Sequence, residues 1–90
     1  MSYRTQVLGA EIALPTTTGT ATSFSEAPVV RLVNTDSSAH VVSIVESQSG
    51  TGIGSFTMPA SAVETLEKEY THCVFASNAA VKGSKVGYTN

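Results

Sequence analysis

Apolar and polar residues alternate along most of this chain in short runs, separated by clusters of Ser, Thr, Asn, Gly and Pro. A period of two between turn clusters is the pattern of half-buried strands. Residues 29–34 (VVRLVN) are β-branched and apolar, and Pro28 sets their start. Residues 35–38 (TDSS) are a turn cluster, and residues 39–46 (AHVVSIVE) form the next run. Two such runs about a short polar connection predict a β-hairpin. Residues 47–52 (SQSGTG) make a second turn, residues 53–58 (IGSFTM) a short strand, and residues 59–61 (PAS) a third turn. Residues 63–68 (VETLEK), 73–77 (CVFAS) and 81–89 (VKGSKVGYT) complete the set. Turns at this spacing predict an all-β fold: a small single-domain β-sandwich or barrel of six to seven short antiparallel strands. Sandwich and barrel give the same alternation. Residues 61–70 also admit a helix, because Ser61 and Glu64 form an S-x-x-E capping box and Val63, Leu66 and Tyr70 would share one helical face.

The first 23 residues read differently from residues 24–90. Tyr3, Val7, Leu8, Ile12 and Leu14 can place one or two short strands between residues 3 and 14. Residues 15–23 (PTTTGTATS) carry no charge and little to bury, so they read as a loop. The segment 1–23 is therefore expected to be an extended N-terminal arm or edge strand followed by a Thr-rich loop, and residues 24–90 the sandwich or barrel proper. Two readings of residues 5–14 stay open: the first strand of the domain's own sheet, or a strand added to a neighbour's.

Composition narrows the function more than it names it. Only 13% of the 90 residues are charged, and 12 Ser with 12 Thr stand in their place. Helix surfaces need more Glu, Lys and Arg than that, whereas the 11 Val suit strands. Five basic residues spread through a chain of net charge −2 form no stripe for phosphates, so no nucleic-acid partner is expected. No apolar run approaches a membrane span, and none follows the first residues as a secretory signal would require. The domain is expected to be soluble and made in the cytoplasm, with no membrane partner. A single cysteine, Cys73, leaves stability to packing.

The chemical candidates are weak. Gly50-Thr51-Gly52-Ile53-Gly54 matches no phosphate-binding spacing and reads as a hairpin loop entering a bulged strand. His72 and Cys73, neighbours on a strand, point to opposite faces and cannot share a metal; Cys73 and Phe75 read as packing. Asp36 and His40 sit four apart across a turn, a spacing suited to fastening it. Glu64, Glu67 and Glu69 read as a solvated face. No catalytic residue, cofactor or metal is therefore expected, and the chain is read as a non-enzyme. Low charge with many hydroxyls suits a surface covered in an assembly. A carbohydrate-binding module for host attachment is a further alternative, one that would need Tyr3, Tyr70 and Tyr88 on one exposed face.

A running pattern from residue 24 to 90 carries a resemblance. It comprises Phe24-Ser25-Glu26-Ala27, Val30-Arg31-Leu32-Val33-Asn34-Thr35, Ala39-His40-Val41-Val42, Gly54-Ser55-Phe56-Thr57-Met58-Pro59, Val63-Glu64-Thr65-Leu66-Glu67-Lys68, Ala76-Ser77-Asn78-Ala79-Ala80-Val81-Lys82 and Val86-Gly87-Tyr88-Thr89. In this the chain resembles small virion structural proteins of tailed bacteriophages, especially marine cyanophages. Thr71-His72-Cys73 departs from the Thr-Asp pair such a pattern would carry. The resemblance implies a non-enzymatic, all-β virion component, a homo-oligomer that decorates or cements the head by binding the major capsid protein. A neck or tail component is the alternative within the same class. Tyr3, Arg4, Val7 and Leu8 are the residues expected at the partner contact.

Overall fold

The protein is described from a computed structural model, covering residues 4–89. Eight strands form among these residues: β1 (Arg4–Val7), β2 (Ile12–Ala13), β3 (Val29–Asn34), β4 (His40–Val45), β5 (Gly52–Met58), β6 (Val63–Glu67), β7 (Cys73–Ala76) and β8 (Val81–Thr89). They pack as a small β-sandwich of two antiparallel sheets. Sheet I runs β1-β8-β3-β6, with β2 also beside β8, and sheet II runs β5-β4-β7. The six strands expected after residue 24 all form, and residues 3–14 contribute the two short ones. Residues 63–67 are a strand, not a helix: Ser61 takes a left-handed φ of 62°, which a helix N-cap does not adopt.

The hairpin expected about residues 35–38 does not form. β3 pairs with β6 and β8, while β4 pairs with β5 and β7, so the connection crosses from one sheet to the other. Asn34 is the cause. Its fully buried Nδ2 donates to the carbonyls of Ser38 (2.9 Å), Met58 (3.0 Å) and Pro59 (3.2 Å), and its Oδ1 accepts from the Asp36 amide (3.0 Å). One amide thus ties the β3–β4 crossing to the β5–β6 crossing, and satisfies the Ser38 and Pro59 carbonyls, which lie outside the strands. The hairpin that does form is β4–β5, whose register shifts between Ile44 and Val45, a bulge beside the Gly-rich loop.

Burial alternates strictly along β3, so Val30, Leu32 and Asn34 face inward and Val29, Arg31 and Val33 outward. They meet Val42, Met58, Val74, Ala76 and Val81 in the core, with Leu14, Phe24 and Ala27 from the first 27 residues. Residues 15–22 lie along the open edge of β7: Pro15 O accepts from Ala76 N (2.9 Å), and Thr22 and Val74 exchange two backbone bonds (2.8 and 3.0 Å). A 3-10 turn, Thr18–Thr20, carries this segment over the outer face of sheet II. There Ala21 closes a second cluster with Val45, Cys73 and Phe75, and Gln48 Nε2 donates to Ala21 O (3.0 Å). The Thr-rich segment is thereby fixed to both sheets, with Leu14 and Ala21 buried to 1%.

Candidate contact surface

β1 and β2 form one interrupted strand along the outer edge of β8. Val7 pairs with Val86 and Ile12 with Gly83, so five steps on one strand match three on the other. The two extra residues make a bulge at residues 8–11, bridged by Leu8 N donating to Lys85 O (2.9 Å). Consecutive residues of a strand face opposite ways. Val7 lies beside Val86 on the outer face, while Leu8 turns to the inner side, where its Cδ1 stands 3.1 Å from where a Cβ on Gly87 would be. Sheet II does not reach under this edge, so Val7, Leu8 and Ile12 remain 68%, 49% and 43% exposed. Glu11 reaches over the outer face toward Arg31 at 4.0 Å.

Opposite the bulge stands a backbone conformation that L-residues seldom adopt. Phe24, Ser25 and Glu26 have φ of 55°, 56° and 59°, a left-handed turn closed by Ala27 N donating to Ser23 O (3.1 Å). Each such residue costs about 1–2 kcal/mol, so the turn must be held from outside. Thr22 Oγ1 accepts from Phe24 N (3.0 Å) and Ser23 Oγ from Glu26 N (3.2 Å). Phe24 enters the core where Gly83 leaves room: a Cβ there would meet Phe24 Cζ and Leu32 Cδ2 at 2.8 Å each. Lys68, itself buried, donates from Nζ to the carbonyls of Ser23 (3.1 Å), Glu69 (3.4 Å) and Tyr70 (3.4 Å). Burial lowers the Lys68 pKa from its ordinary value, because desolvation disfavours the ammonium.

The turn and the bulge enclose a shallow cavity of about 360 Å³ lined by Leu8, Ile12, Thr22, Phe24, Ser25 and Lys85. It is a largely apolar groove with one ammonium, that of Lys85, at its rim. A second open hollow of about 440 Å³ lies beyond the turn, lined by Pro28, Glu67, Lys68, Glu69 and Tyr70.

The other candidates are placed plainly. His40 Nε2 donates to Asp36 Oδ2 at 2.8 Å, and Asp36 Oδ1 accepts from Ser37 N at 2.7 Å, fastening the sheet-crossing turn. The His40 bond holds the Asp36 carboxyl below its ordinary range. Cys73 is buried beside Ala21 and Val45. Among the described residues no three His, Cys, Asp or Glu side chains converge as a metal site, and no helix is long and apolar enough to cross a membrane. Of the four expected contact residues, Val7 and Leu8 lie on the exposed edge strand, Arg4 pairs through its backbone with Thr89, and Tyr3 is outside the described residues. Ile12 and Lys85 belong to the same surface and were missed. The alternation of Leu8 and Ile12 about Gly9 and Ala10 was the available signal. Of the three tyrosines, Tyr70 is 56% exposed at the second hollow, Tyr88 pairs through its backbone with Thr5, and Tyr3 is outside the description. Comparison of the chain with protein-family models, curated proteins and solved structures finds no match.

Proposed function

We propose that this chain is a non-enzymatic structural protein of a tailed-phage virion, a head decoration protein that binds the major capsid protein along its N-terminal edge. The observation that carries the reading is the set of exposed apolar side chains on both faces of one edge, Val7 outward and Leu8 inward with Ile12 beyond the bulge, on a strand whose outer backbone edge pairs with no other strand among the described residues. The resemblance of residues 24–90 to phage virion proteins supplies the partner. An edge strand offers main-chain bonds for affinity and alternate side chains for selectivity, and many weak copies on a symmetric shell act by avidity. The function is mechanical: it bridges adjacent capsid subunits against the pressure of packaged DNA.

Deleting residues 1–23 would remove Leu14 and Ala21 from the two cores, so substitution is the cleaner test. Val7→Asp with Leu8→Asp changes two exposed side chains and is expected to abolish occupancy on particles while the free protein stays folded. Unchanged occupancy sinks the contact assignment. Quantitative mass spectrometry of purified particles tests the position. A copy number comparable to the major capsid protein fits decoration, one ring's worth moves the chain to the neck or tail, and absence from particles removes the virion reading.

A further inference from the structure

The two hollows beside the left-handed turn are opposite in chemistry. The one of about 440 Å³ is lined by Glu67 and Glu69, and its one cation, Lys68, is already held by three carbonyls. The groove of about 360 Å³ has no carboxylate in its lining. Leu8 and Ile12 from the bulge form one of its walls and Phe24 from the turn the other.

The register directs Lys85 to this groove. Lys85 pairs with Val30, whose side chain faces inward, so both leave sheet I on its inner face. Sheet II does not reach under this margin, and Lys85 stays half-buried. Neither ion pair among the described residues includes it: Glu11, on the bulge, turns over the outer face to Arg31, and Asp36 holds His40. The remaining polar groups of the lining can donate. Thr22 Oγ1 accepts from Phe24 N, which leaves its own proton to give, and the Ser25 hydroxyl and the amides of Gly9 and Ala10 meet no acceptor among the described residues. Apolar walls with a cation and several donors at the margin, and no anion, are complementary to a molecule with an apolar tail and an anionic head.

We propose that this groove binds a free medium-chain fatty acid, its tail between Leu8, Ile12 and Phe24 and its carboxylate on Lys85 Nζ. The lining matches both parts in one molecule. A neutral hydrocarbon leaves the Lys85 ammonium without a counter-charge, and a small anion leaves the apolar walls in water. A cationic amphiphile meets a like charge here. The groove is at the small end of ligand sites and stays open to solvent on one side, so the dissociation constant is expected to be about 1 mM. Leu8 and Ile12 also belong to the proposed capsid contact, but this inference does not rest on the virion reading.

NMR titration of the full chain with decanoate at pH 7 tests it. The amide signals of Gly9, Ala10, Ser25 and Lys85 are expected to shift together and to saturate, while those of Glu69 and Tyr70 at the other hollow stay in place. Octanoate, two methylenes shorter, should bind about tenfold more weakly. Decyltrimethylammonium, with the same tail and the opposite charge, should bind at least about fivefold more weakly than decanoate. Lys85→Met keeps the apolar stem and removes the ammonium, so it should weaken decanoate about threefold to fivefold and leave the cationic amphiphile no weaker. The proposal is overturned by no shift up to about 10 mM decanoate, ten times the expected constant. Shifts centred outside the groove, or equal affinity for the two headgroups, overturn it as well. If Lys85→Met does not fold, the headgroup comparison on the wild type decides.

Discussion

Asn34→Ala should be among the most destabilising single substitutions in this protein. The Nδ2 group has two protons and three carbonyls within reach, and Oδ1 accepts one amide, so the side chain supplies roughly three full bonds. Each contributes about 1 kcal/mol net, and the part-buried Ser38 carbonyl, which lies outside the strands, adds about 1–3 kcal/mol of desolvation once unpaired. The expected loss is about 4–6 kcal/mol, a large share of the stability of so small a domain. Asn34→Asp sharpens the test, because it replaces the two-proton donor by an oxygen aimed at three carbonyl oxygens. Burial and repulsion raise the pKa of the new carboxyl above its unfolded value of about 3.9. The unfolded chain then releases the proton first, so the folded variant binds more protons and loses stability as pH rises. Its deficit against wild type should be smaller at about pH 3 than at pH 7, growing from about pH 4 upward until the folded carboxyl also ionises. Urea unfolding of wild type and both variants at the two pH values gives the numbers by linear extrapolation. A loss under about 1 kcal/mol for Asn34→Ala, or an equal deficit for Asn34→Asp at both pH values, would refute the role given to this amide.

Three further outcomes are expected. Gly83→Ala should cost about 1–3 kcal/mol in chemical unfolding, and less in a Phe24→Leu background, since Phe24 Cζ is one of the two atoms the new methyl meets; equal costs in the two backgrounds would remove that account. His40→Leu should move the Asp36 pKa up toward 3.8 by NMR titration. The stabilisation from the lowered Asp36 pKa is present above the unfolded value and lost as pH falls through the folded one, so the variant should lack that part of the acid limb; an unmoved Asp36 pKa contradicts it. Glu11→Gln should change stability by under about 0.5 kcal/mol, because the 4.0 Å pair with Arg31 is exposed.

The strands were legible because burial on one face forces alternation, and β3 and β8 occupy the residues the pattern assigns. Their partners were not. A polar connection of four residues between two apolar runs fits a hairpin and a sheet-to-sheet crossing equally, and what separates them is an asparagine whose acceptors include Met58 and Pro59, 24 and 25 positions away. Residues 15–23 read as a loop because threonines carry little to bury; Leu14 and Ala21, two small anchors at its ends, are what hold it down. Val7 and Leu8 could be picked out as an exposed pair, but the groove beside them depends on a left-handed turn built from Phe24, Ser25 and Glu26, none of them the glycine that would signal it.

The order of sheet I has a consequence for how the chain acquires its structure. β8, the last strand in sequence, lies between β3 and the β1–β2 edge. Until it is made, β3 has one neighbour, the first two strands have none, and Val81 is missing from the core. Joining β1 to β8 closes a loop of most of the chain, at an entropic cost of about 4 kcal/mol before the ladder forms. Folding is therefore expected to be all-or-none and slow for a domain of this size, in milliseconds to seconds, and to wait until β8 has been made. A chain stalled before residue 81 would present the bare edge of β3, so the interval before its last strand arrives is when this protein is most exposed to aggregation.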